Sequence, residues 1–135
     1  MAYIDFTDKI SVKVSIIDEQ HKKLVEIIND LHNAMVSGKG KTVMDDILLR
    51  MIEYVKVHFS TEESLMVQYD FPERSEHEAQ HIELTSQVGE LYVKVRENKL
   101  NVTIETMNFL KDWLNHHIME TDKKLGAFLQ TKGVK

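Results

Sequence analysis

The sequence predicts an all-α protein: an up-down-up-down four-helix bundle with an extended N-terminal arm and a short C-terminal helix. Three observations predict it. Apolar residues recur at spacings of three and four in four separate blocks, the helical signature. The only proline, Pro72, falls between two of those blocks rather than inside one. The connections between blocks are short, which makes antiparallel neighbours the simplest packing. By size the 135 residues form one domain, long enough to bury roughly two thirds of the surface the unfolded chain exposes.

Residues 1–17 show no helical period and are expected to form the arm, with Phe6, Val12, Val14 and Ile16 available to pack on the bundle. The first helix is expected over 18–38, with Asp18 as its N-cap and His21, Leu24, Ile28, Leu31 and Met35 on one stripe before SGKGK breaks it. The second, over 42–66, places Ile47, Met51, Val55, His58, Glu62 and Leu65 on its stripe. After the break YDFPE, a third over 74–97 carries His77, His81, Leu84, Val88, Leu91 and Val95, and fades at ENKLN. The fourth, over 102–120, carries Thr103, Met107, Leu110, Leu114 and His117, flanked by Trp113 and Ile118. A last piece over 123–130 carries Leu125, Phe128 and Leu129.

Composition excludes several classes of function. Seventeen basic against 22 acidic residues leave a net charge of -5, and no basic patch suited to nucleic acid is visible. There is no cysteine, so neither disulfides nor thiolate metal sites can form. Asp5 and Asp8 sit where a signal peptide would need an apolar run, and no apolar stretch approaches the ~20 residues that span a bilayer. The expectation is a cytoplasmic protein, monomeric, with neither nucleic acid nor membrane as partner.

The seven histidines are the unusual entry. Each core stripe contains titratable residues where a purely structural bundle would place Leu or Ile: His21; His58 and Glu62; His77 and His81; His117. Singly, each has a bland reading, since a lone histidine on an apolar stripe is usually a satisfied core residue. Jointly they do not. A buried Glu62 carboxylate without a partner would cost several kcal/mol, and a cation beside it offsets that. Residues four apart lie about 40° apart on a helix, so His58 with Glu62 and His77 with His81 can each reach a common centre. His117 and Asp122 are five apart, about 140° on a regular α-helix, so the helix must loosen or end between them. Five imidazoles and two carboxylates exceed the needs of one zinc ion and suit two iron ions.

The stretches IDEQH (17–21), HFSTEE (58–63), YDFPERSEHEAQH (69–81) and WLNHHIMETD (113–122) resemble the bacterial hemerythrins, from about Phe6 to Leu129. Known up-down-up-down bundles include a member of this family, so architecture and resemblance are one inference rather than two. By position, the resemblance implies that His77, His81 and His117 bind one iron and His21 and His58 the other. Glu62 and Asp122 would bridge them, beside an oxo or hydroxo bridge. The first iron then has six ligands and the second five, and the resemblance implies that O2 binds reversibly at the open position. Two ferrous ions less two carboxylates and a hydroxide leave about +1, tolerable inside a bundle. Leu24, Phe59, Trp113, Leu114 and Ile118 would wall the O2 pocket, although any bundle core needs such residues. Phe6 stands where the family commonly has tryptophan and Lys13 where it commonly has glycine, which bears on the arm and not on the ligand set.

Two rival metal readings fit less well. The string HEAQH at 77–81 is the zinc-protease signature, with Glu78 as general base, but Leu84 and Gln87 stand where the extended form needs Gly and His. It also leaves His21, His58 and His117 unexplained. A ferritin-like di-iron carboxylate site wants two Glu-x-x-His pairs, and only Glu78 with His81 fits. His32 and His116 lie outside the motif. The expected function is therefore an O2 carrier, store or delivery protein, serving an unidentified O2-consuming enzyme. An O2 sensor acting through a partner, or a di-iron oxidase or reductase of nitric oxide or peroxide, is the alternative.

Overall fold

In the computed structural model, the structure describes Ile4, Thr7 and residues 11–98 and 103–135, the side chains of 118–120 excepted. Five α-helices and one π-helical turn follow in order: α1 (Ser15–Val36), α2 (Lys41–Gln68), α3 (Arg74–Arg96), α4 (Ile104–His116), the π turn (His117–Asp122) and α5 (Lys123–Thr131). No strand occurs among the described residues, and no helix among them is long and apolar enough to cross a membrane. The all-α expectation holds.

The helices stop where the backbone is turned. α1, α2 and α3 are each followed within two residues by one in the left-handed region: Gly38 at φ 69°, Asp70 at 53° and Asn98 at 63°. That conformation ends a helix by turning the next amides back onto its last carbonyls. Gly38 N–H donates to Met35 O at 3.2 Å and Phe71 N–H to Met66 O at 2.9 Å. At the start of α4, Thr103 is exposed and its hydroxyl accepts from Thr106 N–H, so it caps the helix instead of joining the core stripe as expected.

Ile17, Leu24, Ile28 and Leu31 from α1, Leu48, Met51 and Met66 from α2, Val88 from α3, and Met107, Leu110 and Leu114 from α4 are almost wholly buried. Ile47, Leu65 and Met35, expected on the core stripe, are only partly buried; Leu48 and Met66, one position on from Ile47 and Leu65, take the core places on α2. A helix of 28 residues packed on two neighbours drifts relative to a single straight stripe, so adjacent positions share the face.

The arm needs the most correction. α1 begins at Ser15, three residues before the expected cap. Asp18 lies in its first turn and reaches back to the arm, accepting from Ser11 Oγ at 2.5 Å and Val12 N–H at 2.8 Å. Its carboxylate at a helix N-terminus is favourable whether it caps or not, which is why the sequence invites the other reading. Val12 and Val14 are buried as expected, but Ile16 is 48% exposed and Ile17 takes its place in the core. Phe6 lies outside the described residues. Ile4 is tied to α1 by paired bonds with the Asn29 side chain, at 2.7 and 2.8 Å. At Gly126 a Cβ would come 2.5 Å from Val12 O, so only glycine lets α5 approach the arm this closely. The arm therefore clamps α1 to α5, the helix that follows Asp122.

Candidate metal centre

Seven titratable side chains meet inside one end of the bundle: His21, His58, Glu62, His77, His81, His117 and Asp122, none more than 3% exposed. His21 lies in the second turn of α1 and His77 in the first turn of α3, His58 and Glu62 in the second half of α2, and His117 just past the end of α4. That these positions meet establishes the up-down-up-down order.

Of the three within-helix spacings of the ligand set, two are met by ordinary helix geometry and one is not. His117 and Asp122 fall on the π-helical turn, the only described segment of its kind. With i→i+5 hydrogen bonding, residues five apart come onto one face, and the loosening expected between these two residues takes this form. Asp122 Oδ2 consequently reaches back to His117 Nε2 at 2.7 Å.

All five histidines point Nε2 at the same volume. His21 Nε2 is 3.1 Å from His58 Nε2, and His58 Nε2 is 3.3 Å from His117 Nε2. Asp122 Oδ2 faces His21, His58 and His117 at 2.6, 3.3 and 2.7 Å, while its Oδ1 faces His77 at 3.3 Å. Glu62 mirrors this: Oε1 faces His77 and His81 at 3.3 and 2.9 Å and His117 at 3.6 Å, and Oε2 faces His58 at 3.4 Å. Each carboxylate thus aims one oxygen at each of two histidine groups. Donor atoms within 4.8 Å of one another fall into the same two sets, His21, His58 and His117 in one and His77 and His81 in the other, with Glu62 and Asp122 common to both. The resemblance placed His117 with His77 and His81; its ring sits 5.5 Å from His81 and 5.4 Å from His58, between the two.

The electrostatics of the chain alone are those of a cation site. Burial, then the charge of Asp122, pushes the Glu62 carboxyl well above the usual range. Burial acts the same way on Asp122, but the charge of His117 and the close approach of the His117, His21 and His58 rings to its oxygens outweigh it and hold Asp122 well below. Burial lowers His58 to about 4 and His81 to about 2, so both rings are neutral with lone pairs available. Glu62 Oε2 and Asp122 Oδ1 have no hydrogen bond although wholly buried. Five converging imidazoles, His58 and His81 among them held neutral, together with orphaned carboxylate oxygens fit a metal, since a buried polar group otherwise finds a partner.

Around the cluster, Phe59 stacks on His81 at 3.9 Å between centroids and 4° between planes, and lies 4.9 Å from His117. Trp113 is 6.4 Å from His117 and donates Nε1–H to Leu84 O at 3.2 Å. Leu24 and Leu114 are wholly buried, each one turn from a cluster histidine. The Ile118 side chain lies outside the described residues. Glu78 is half-buried on the outer face of α3 and pairs with Arg74 at 3.6 Å, away from the cluster. It is not placed to act as a base there.

Two residues with a part in this site escape a stripe-based reading. Gln20 Oε1 accepts from His58 Nδ1 at 2.7 Å, and Glu63 Oε2 accepts from His81 Nδ1 at 2.9 Å. Each stands beside a ligand-type residue in a motif stretch, and that adjacency is the signal available in the sequence.

A family model described as the hemerythrin HHE cation binding domain matches residues 12–129. The bacteriohemerythrin of Methylococcus capsulatus is 31% identical over 116 residues, covering 86% of this chain and 88% of the relative. That of Pseudomonas aeruginosa is 30% identical over 122 residues, covering 90% and 78%. A crystal structure of wild-type hemerythrin superposes with a TM-score of 0.88 at 29% identity, covering 95% of this chain and 98% of that one. A leucine-to-alanine mutant of hemerythrin gives the same score and identity over 96% and 98%.

Proposed function

The chain belongs to the hemerythrin family, and on that premise we propose that it holds a non-haem di-iron centre and binds O2 reversibly as a carrier, store or delivery protein. The observation that carries this reading is the division of the donor atoms: two histidine groups, with one oxygen of Glu62 and one of Asp122 directed at each. Such an arrangement supports two metal ions bridged by both carboxylates. Five histidines divide three to two whichever group His117 joins, so one ion is left a ligand short of the other. The open position follows from the odd number of imidazoles and not from their allocation.

When bound, the ferrous pair supplies two electrons and the open coordination position through which O2 is taken up and released. The chain supplies the rest. Glu62 and Asp122 offset the charge of the ions, the five Nε2 atoms fix their positions, and Phe59 and Trp113 close the histidine rings off from solvent. Dry apolar walls favour release of the ligand unchanged, because water and external reductants are kept from it. Leu24, Phe59, Trp113, Leu114 and Ile118 are proposed as those walls.

The test is spectroscopic. The protein is loaded with iron, reduced without air, and its visible spectrum recorded before O2, under O2 and after flushing with argon. A new visible band under O2 that disappears on flushing is expected of a carrier. Irreversible oxidation without such a band overturns the carrier reading in favour of a di-iron oxidase or reductase.

A further inference from the structure

The histidines of the centre differ in what holds their outward nitrogens. His58 Nδ1 meets the neutral amide of Gln20 at 2.7 Å, itself held by Thr61 Oγ1 at 3.0 Å, while His21 and His117 Nδ1 have no partner. His81 Nδ1 meets a carboxylate, Glu63 Oε2, at 2.9 Å. Glu63 is part-exposed at 41%, on the wall of a surface depression shared with Lys56, Phe59, Ser60 and Ile82; burial and the charge of Glu78 raise its carboxyl above the usual range and the His77 ring opposes them. The opposite face of the same ring is fixed by Phe59, stacked within 4° of parallel. Nothing in the first set of donors requires this second carboxylate, because Glu62 already faces His81 Nε2 from the inside.

We infer that Glu63 is a positioning residue of the metal centre, which holds His81 in the tautomer protonated at Nδ1 and raises the electron density on its Nε2. The inference rests on the di-iron reading above. A neutral imidazole has one N–H, and a carboxylate acceptor at Nδ1 keeps it there, leaving the Nε2 lone pair for metal. A negative charge on that hydrogen bond makes His81 a stronger donor than His58, whose outward partner is an uncharged amide. The two ions therefore sit in unequal fields, and the one bound by His81 is the more readily kept oxidised. Glu63 sets that inequality without touching metal or ligand.

The variant Glu63→Gln keeps an acceptor oxygen at nearly the same place and removes the charge. In the iron-loaded full-length protein it is expected to retain two irons, to surrender iron to a chelator roughly 10- to 100-fold faster, and to show a more positive reduction potential by spectroelectrochemistry. The reciprocal variant Gln20→Glu is expected to shift the potential the other way. A merely structural Glu63 would alter thermal stability and leave both potentials where they were. An unchanged potential in Glu63→Gln, a Gln20→Glu shift in the same direction, or loss of an iron outright from Glu63→Gln overturns the inference. If the wild-type chain takes up no iron pair, the di-iron reading itself fails, an outcome visible before either variant is made.

Discussion

The two ends of this bundle are built from the same four helices by the same packing rules and have opposite chemistry. Away from the cluster, Leu31, Leu48, Met51, Leu91, Val95, Met107 and Leu110 fill the interior, all apolar and all nearly wholly buried. At the other end seven equally buried positions are titratable, and two of their oxygens and two of their nitrogens have no hydrogen bond. A buried leucine contributes about 1.5–3 kcal/mol by leaving water, whereas a buried carboxylate costs several kcal/mol until something offsets its charge. On the proposed di-iron reading, one end is stabilised by its own apolar packing and the other by what it binds. The contrast teaches that a ligand site here is a region where the packing rule is kept and the polarity rule is broken, at a cost the apolar end supports.

The largest test breaks the site end alone. Glu62→Ala removes one carboxylate from both histidine groups, and the iron pair is expected to be lost: iron per chain after gel filtration should fall to near zero. Glu78→Ala, which removes only a half-buried partner of Arg74, is expected to leave the iron content unchanged. The reverse pattern would sink the hemerythrin reading of the site and restore the protease one.

Chelation of the iron sharpens the comparison further. A ligand present at a thousand times its dissociation constant stabilises the native state by about 4 kcal/mol, so the stripped protein should melt well below the loaded one. Hydrogen exchange should show where. Amides of the π turn and the start of α5 are expected to lose protection, while those around Met51 and Leu110 keep theirs. Uniform loss along all four helices would show that the two ends do not have separate stabilities.

The complementary change is at the apolar end. Leu110→Ala leaves a cavity in the apolar core, where Leu110 is wholly buried, and is expected to cost about 2–5 kcal/mol in chemical denaturation. Iron per chain should not change, because Leu110 lies two turns before His117 on α4.

How legible each end was in the sequence follows the same division. The apolar stripes were readable by period, and the site by its violation of that period, since a histidine or glutamate at a core position is visible in the bare string. The pairs His58 with Glu62 and His77 with His81 needed only regular helix geometry. His117 with Asp122 needed a departure from it, whose necessity the spacing revealed and whose form as a π turn it did not. Glu63 was hidden for a different reason. One step from Glu62, it reads as a solvated neighbour, and its bond to His81 exists only because α2 and α3 pack in this register. Asp18 misled because a carboxylate in a first turn and a carboxylate at a cap satisfy the same dipole.

The smallest expected effect concerns the arm, which joins the two helices flanking the site, and it rests on a residue the sequence marks as unusual. Lys13 stands where the resemblance to the family implies glycine, and its φ is 62°, in the left-handed region where a side chain crowds the following carbonyl. The strain of a non-glycine residue there is about 1–2 kcal/mol. It is sustained by neighbours that fix the backbone on both sides: Val12 N–H on Asp18, and Gln130 Nε2 donating to Lys13 O at 3.3 Å. Lys13→Gly should relieve that strain while also loosening the unfolded chain, so a net gain of about 1 kcal/mol or less is expected. Thermal melts of the loaded and stripped proteins should both rise by the same small amount. A gain confined to the loaded protein would mean that the arm reports on the metal, and that the independent stability assigned to the apolar end extends no further than the helices that form it.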